Sequence, residues 1–139
     1  MNFDIDQLSQ STNATHKVVV GHNPGDAPEE VGFIVTGPSS PQYRAAERAN
    51  SILNIMEAEK RKVGLDLSRP EDAGRMFDGM EVRRDAALEH CVVGWFGFKR
   101  GADYAEFTPE NLKAVLRARP HWSKRLIGEI ENAANFDGA

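Results

Sequence analysis

The chain is poor in the residues that build covalent or metal-held folds. It has one cysteine, Cys91. No disulfide can form within it, and the composition fits a reducing compartment. Its four histidines, His16, His22, His90 and His121, include no pair at zinc-ligand spacing. His90 and Cys91 are adjacent, so on a helix they point about 100° apart. His16 and His22 flank one β-type run, but no third ligand is nominated, and neither a metal nor a cofactor is expected. Long apolar runs are also missing. The longest are of the kind Val18-Val19-Val20 and Phe33-Ile34-Val35, far below the ~20 residues of a membrane span. Met1-Asn2-Phe3-Asp4 places an acid where a secretory leader carries base, and no apolar segment follows, so no leader is expected. Finally, basic charge is not in excess. Lys+Arg number 17 against 21 Asp+Glu, a net charge of −4, which argues against a nucleic-acid binder.

The remainder is ordinary for a globular protein. The 139 residues are 40% hydrophobic and 27% charged, enough for a single domain with one modest core. Residues 1–15 are polar and read as a flexible arm that could order on a partner. Residues 16–37 read as a β-hairpin. Lys17–Val20 and Val31–Thr36 are rich in β-branched residues, and Gly21-His22-Asn23-Pro24-Gly25-Asp26-Ala27-Pro28 between them is dense in turn formers. That loop lacks the Lys-Ser/Thr ending of a phosphate loop, and no helix follows it. A lone hairpin is marginal in water and needs a further strand, a helix face or a partner.

Residues 38–137 read as mainly helical, with about four helices. The first is capped by Ser40 with Pro41 behind it and runs to about Val63, with Tyr43, Ala46, Ala49, Ile52, Leu53 and Met56 as its apolar stripe. Lys60-Arg61-Lys62 suits its C-terminal end, and Gly64 stops it. The second opens at Ser68–Glu71, and its apolar period continues through Ala73, Met76, Phe77, Met80, Ala87, Leu88, Cys91, Val92 and Trp95. Gly79 could break it. The third starts at the cap Thr108 with Pro109, and runs through Arg117 with Leu112, Val115 and Leu116 inward. The fourth starts at Pro120, with Trp122, Leu126, Ile127, Ile130 and Ala133 on one face, and Phe136 closes the pattern. The expected fold is α+β: an N-terminal β-hairpin or small antiparallel sheet followed by this helical region.

Candidate chemistry is sparse. Cys91 lies on the apolar stripe and reads as a small core residue with no base beside it. Glu57/Glu59, Glu71/Asp72 and Glu129/Glu131 are spaced so that partners do not face each other on a helix, and read as solvated faces. Lys60-Arg61-Lys62, Arg83-Arg84 and Lys124-Arg125 lack the interleaved aromatics of a base-stacking surface. Residues 1–40 hold one base against five acids, and residues 99–125 hold seven bases against three acids. That asymmetry reads most simply as solvation, and could also favour head-to-tail self-association. The distinctive stretch is Cys91–Phe98 followed by Tyr104–Leu112. It reads as a helix-turn-helix corner whose buried anchors are Trp95, Phe107 and Trp122, with Phe107 stapled to Leu112 across the Thr108 cap.

Val93-Gly94-Trp95-Phe96-Gly97, then Glu106-Phe107-Thr108-Pro109-Glu110-Asn111, then Arg119-Pro120 and a last helix ending at Phe136 together resemble the tail assembly chaperones of long-tailed bacteriophages. The resemblance covers roughly residues 75–137. It departs from the family pattern at Phe98-Lys99-Arg100-Gly101-Ala102-Asp103, where Asp and Gly are common. The resemblance implies a non-enzymatic protein in the cytoplasm of the infected bacterial host, binding the tape measure protein and helping to recruit tail tube subunits. Trp95, Phe107, Thr108, Trp122 and Phe136 are the expected structural anchors. Met76, Phe77 and Met80 read first as core. The other reading makes them a partner surface, since methionine adapts to varied apolar clients. The N-terminal arm and the hairpin tip are further candidate contacts. A structural virion component of the tail or head-tail junction is the alternative function; a small enzyme would need convergent ionisable groups that the sequence does not offer.

Overall fold

A computed structural model describes residues 4–61 and 64–137. The fold is α+β: a three-stranded antiparallel sheet with four long helices, two of them inserted between its second and third strands. In chain order the elements are α1 (Ile5–Gln10), β1 (Thr15–Asn23), β2 (Glu29–Thr36), α2 (Pro41–Arg61), α3 (Pro70–Cys91), β3 (Val92–Phe96), β4 (Lys99–Arg100), β5 (Asp103–Tyr104), α4 (Pro109–Ala118) and α5 (Pro120–Glu131). The segment expected to be a loose arm carries α1 and a 3-10 turn at Ser11–Asn13, with Ile5 exposed.

The hairpin forms as expected but is longer, because Gly21-His22-Asn23 extend β1 and leave residues 24–28 as the tip. Asn23 is held there by its side-chain amide, which donates to the Gly97 carbonyl at 2.7 Å. In β2, Val31, Phe33 and Val35 alternate on one face and are buried, the period-2 pattern of a sheet covered on that side. Phe33 pairs with Val18 on β1 and with Trp95 on β3. Gly32, between them, is a close-approach position. A Cβ there would collide with the Val18 carbonyl oxygen and the Phe96 ring.

The third strand is the main departure from the sequence reading. The helix expected to continue through Trp95 ends at Cys91, and Val92–Phe96 pairs with β2. Val92-Val93 and Trp95-Phe96 suit a pleated, half-buried surface better than a helix. The open edge of β2 supplied the partner for which an isolated reading had no term. Gly94 sits opposite Ile34 inside the strand.

The helix starts divide into two kinds. Ser40 and Thr108 act as side-chain caps, with Oγ accepting from the Tyr43 N–H (3.1 Å) and Oγ1 from the Asn111 N–H (3.1 Å). Ser68 does not cap α3. The N-cap position is Arg69, without a side-chain cap bond, and Ser68 instead donates to Asp66. Those two bonds hold the Asp66 carboxyl below its ordinary range. Gly79 does not interrupt α3. The expected end of α2 at Val63, and Lys62 with it, lies outside the described residues. Ala133 leaves the α5 face for an exposed 3-10 turn at Ala133–Asn135.

The core joins Val18, Phe33 and Val35 of the sheet to Leu88 and Cys91 of α3, Val92 of β3, Leu112 of α4, Leu126 and Ile130 of α5, and Phe136. Phe136 lies against Gly37, where a Cβ would run into its ring. We predict opposite outcomes for two alanine substitutions, read by urea melts. Gly32→Ala should lose about 3 kcal/mol, because backbone must move to admit the methyl. Gly74→Ala on α3, where no atom lies within 4 Å of the new Cβ, should gain up to ~1 kcal/mol through helix propensity.

Candidate functional site

Three regions hold the residues that the sequence singled out, and they separate into structural joints and an open surface. The first joint is the aromatic corner. β3 delivers Trp95 beside Phe98 (ring centroids 4.8 Å apart) and Phe107 (5.4 Å, edge to face). Phe98 lies against Phe33 (5.1 Å) and Trp122 (6.1 Å). The Trp95 indole N–H donates to the Ala105 carbonyl at 3.0 Å, tying the strand to the segment that leads into α4. The corner is therefore strand–hairpin–helix rather than helix-turn-helix. Its anchors also differ in depth from expectation. Trp95, Phe107 and Trp122 are half-buried around the rim, and Phe33, at 0% exposure, is the buried centre. An indole or phenyl ring at a joint can remain partly wet while its inner edge packs.

The glycines of this corner have backbone reasons. Gly97 has φ +81°, and a Cβ there would stand 2.5 Å from the Glu30 carbonyl oxygen. Gly101, φ +67°, turns the short β4–β5 hairpin, which is the structure of the stretch 98–103 where the family pattern is not followed. The hairpin is joined to its surroundings by Tyr104, whose hydroxyl donates to Glu29 at 2.7 Å, and by Arg100, which donates to Asn111 at 2.8 Å. Glu29 thereby raises the Tyr104 pKa. Within the sheet, Lys17 on β1 pairs with Glu30 on β2 at 2.6 Å, which lowers the Glu30 pKa.

The second joint was missed in the sequence. Glu129, read as part of a solvated acid pair, is half-buried. It accepts from Asn135 Nδ2 at 2.8 Å and lies 3.1 Å from His16 Nε2. His16 also packs edge-to-face with Phe136 at 5.9 Å. One carboxylate therefore ties β1, α5 and the C-terminal turn together. The sequence offered no signal for it, since the partners are separated by 113 residues. Among the described residues no group of three or more His, Cys, Asp or Glu is placed to hold a metal ion. Cys91 is buried, as expected of a core residue, and burial pushes its thiol pKa up despite the opposing effect of Thr36.

The open surface is an arm made by α2 and α3, which pack against each other as an antiparallel pair. At 1.5 Å per residue the 21 residues of α2 span about 31 Å. Near the body the inward faces are covered: Ala46 on α2, Leu88 and Cys91 on α3. The same faces continue beyond the body and stay apolar. On α3, Phe77 and Met80 lie in line with Ala87, Leu88 and Cys91 at helical spacing. On α2, Leu53 and Met56 lie in line with Ala46 and Ala49. Exposure there is 48% at Leu53, 52% at Met56, 43% at Met76, 61% at Phe77 and 55% at Met80. Ile52 is 47% exposed. Two readings are corrected at this point. Met76, Phe77 and Met80 are not core, and the α2 stripe is covered only at its N-terminal end. The core period was legible in the sequence, but where the covering elements stop was not.

At the base of the arm a groove of about 830 Å³ opens between α2, α3 and α5, with Tyr43, Ala46, Phe77, Met80, Ala87 and Ile127 in its walls. Asn50 Oδ1 and Arg84 Nε, buried in the same walls, have no hydrogen-bond partner among the described residues. The arrangement offers an apolar seam beside a groove, and it can accept the apolar stripe of another helix.

Two substitutions and one labelling reaction test this division. Phe33→Ala should cost about 3–5 kcal/mol and Trp95→Phe, which loses the bond to Ala105, about 1 kcal/mol; denaturant titration reads both. Cys91 should resist a disulfide reagent at pH 8 in the native protein and react fully in denaturant, since burial holds the thiol protonated. Comparison of the chain with protein-family models, with curated proteins and with solved structures finds no match.

Proposed function

We propose that this protein is a tail assembly chaperone of a long-tailed bacteriophage, which binds the tape measure protein and helps recruit tail tube subunits in the cytoplasm of the infected host. The observation that carries this reading is the uncovered apolar face of the α2–α3 arm, centred on Met76, Phe77 and Met80. A tape measure protein is long, helical and apolar, so it needs partners that mask its stripes until the tube encloses it. An arm that presents flexible thioethers and one phenyl ring along a helix pair is suited to a series of non-identical helical clients. The motif resemblance supports the same reading, and the corner geometry accounts for several of its residues. Gly97 and Thr108 are needed for backbone conformation and capping, Trp95 for the tie to Ala105. The protein acts on this reading by surface, without a catalytic step. No helix among the described residues is long and apolar enough to cross a membrane.

The test is co-expression with the tape measure protein encoded by the same phage, followed by affinity capture. We expect the tape measure protein to become soluble and to co-purify, and Phe77→Glu/Met80→Glu to reduce its recovery at least tenfold while circular dichroism of the body is retained. Failure to capture it, with this chain present instead in purified particles, would replace the chaperone reading with that of a structural virion component.

A further inference from the structure

The arm has a second property that does not depend on the tail reading. From residue 51 to residue 83 no described residue is buried, although both helices persist through it. Isolated helices of this length are marginal in water, and most helical stability comes from packing an apolar face. A pair of helices that fully buries no side chain over several turns has much of its inner seam left for something else.

We propose that this seam is a docking surface for a second copy of the chain, in which two arms pair side by side and antiparallel about a two-fold axis to make a four-helix bundle. The area decides for this occupant. From their fractional exposures, Ile52, Leu53, Met56, Met76, Phe77 and Met80 leave open roughly 700 Å² of mainly apolar surface, and two copies together roughly 1,400 Å², within the ~1,200–2,000 Å² that specific stable interfaces bury. A single monomer seldom leaves an apolar patch beyond ~300–600 Å². A two-fold interface needs one patch that complements itself. The seam qualifies because it is long, mainly apolar and rich in methionine, whose flexible side chain adapts to varied partner shapes. The four-helix arrangement needs no change in either copy's core, since α5 and the sheet cover only the base of the arm. A second copy is also the one partner present at the chain's own concentration. Pairing would therefore keep the seam dry.

Sedimentation equilibrium of the purified full chain is the test, run between 1 and 100 µM. The expected mass is twice 15.4 kDa over the upper part of that range. Phe77→Glu/Met80→Glu should raise the dimer dissociation constant at least a hundredfold while circular dichroism of the body is retained. Because the charged variant could unwind the arm, a second reading uses Phe77→Cys and, as a control on α4, Glu110→Cys, with Cys91 buried and silent. Mild oxidation should link the Phe77→Cys copies and leave the Glu110→Cys copies monomeric. A monomer at 100 µM, or a dimer that survives the double substitution, overturns the proposal. A monomer that still captures the tape measure protein would overturn the pairing and leave the chaperone reading intact.

Discussion

Phe33 is the residue on which the rest of the structure depends. It is fully buried at the middle of the central strand, pairs across the sheet with Val18 on one side and Trp95 on the other, and packs its ring against those of Phe98 and Trp122. A three-stranded sheet has one face to cover, and in so small a domain a single helix layer must do it. Everything that positions this layer converges on the same ring: β3 brings the end of α3, the β4–β5 hairpin brings Phe98, and α5 brings Trp122 and Leu126. The Gly32 and Gly97 positions exist because strands approach too closely for a side chain.

This packing also explains why the molecule has an unfinished part. The sheet is short, so the helices that cover it are needed only near its face. α2 and α3 are longer than that requirement, and they carry their apolar periodicity past the last covering element. The contrast is physical rather than one of composition: Leu88 and Phe77 belong to one helical face, and one is 2% exposed while the other is 61% exposed. The polar ties follow the same division. Glu129, Asn135 and His16, and Trp95 with Ala105, all lie in the body. In the arm, the ion pairs Arg75–Asp72 and Arg84–Glu81 lie within α3, and pairs of this kind contribute little.

Much of this was readable residue by residue. The β-branched runs specified the hairpin, and Ser40-Pro41, Thr108-Pro109 and Pro120 marked three helix starts because capping and proline placement are local rules. The strand Val92–Phe96 was not readable as such, because its apolar residues also fit the period of the helix before it; pairing with β2 decided the matter. Ser68 looked like a cap by type, yet Asp66 competes for it. The Glu129 joint needed contacts more than a hundred residues apart. The candidate surface was named in the sequence, but whether Met76, Phe77 and Met80 face the core depends on where α5 ends against α3, which no local pattern records.

Hydrogen exchange resolved along the chain gives the most direct test of a supported body joined to an unsupported arm. In dilute protein, where neither a client nor a second copy is bound, the account predicts that amides of β1–β3 and α5 exchange only through global unfolding, and that those of residues 51–61 and 70–83 exchange orders of magnitude faster. Addition of a helical client should slow the arm selectively. Arm amides as protected as those around Phe33 in the isolated monomer would contradict the account, because the seam would then already be stable without a partner.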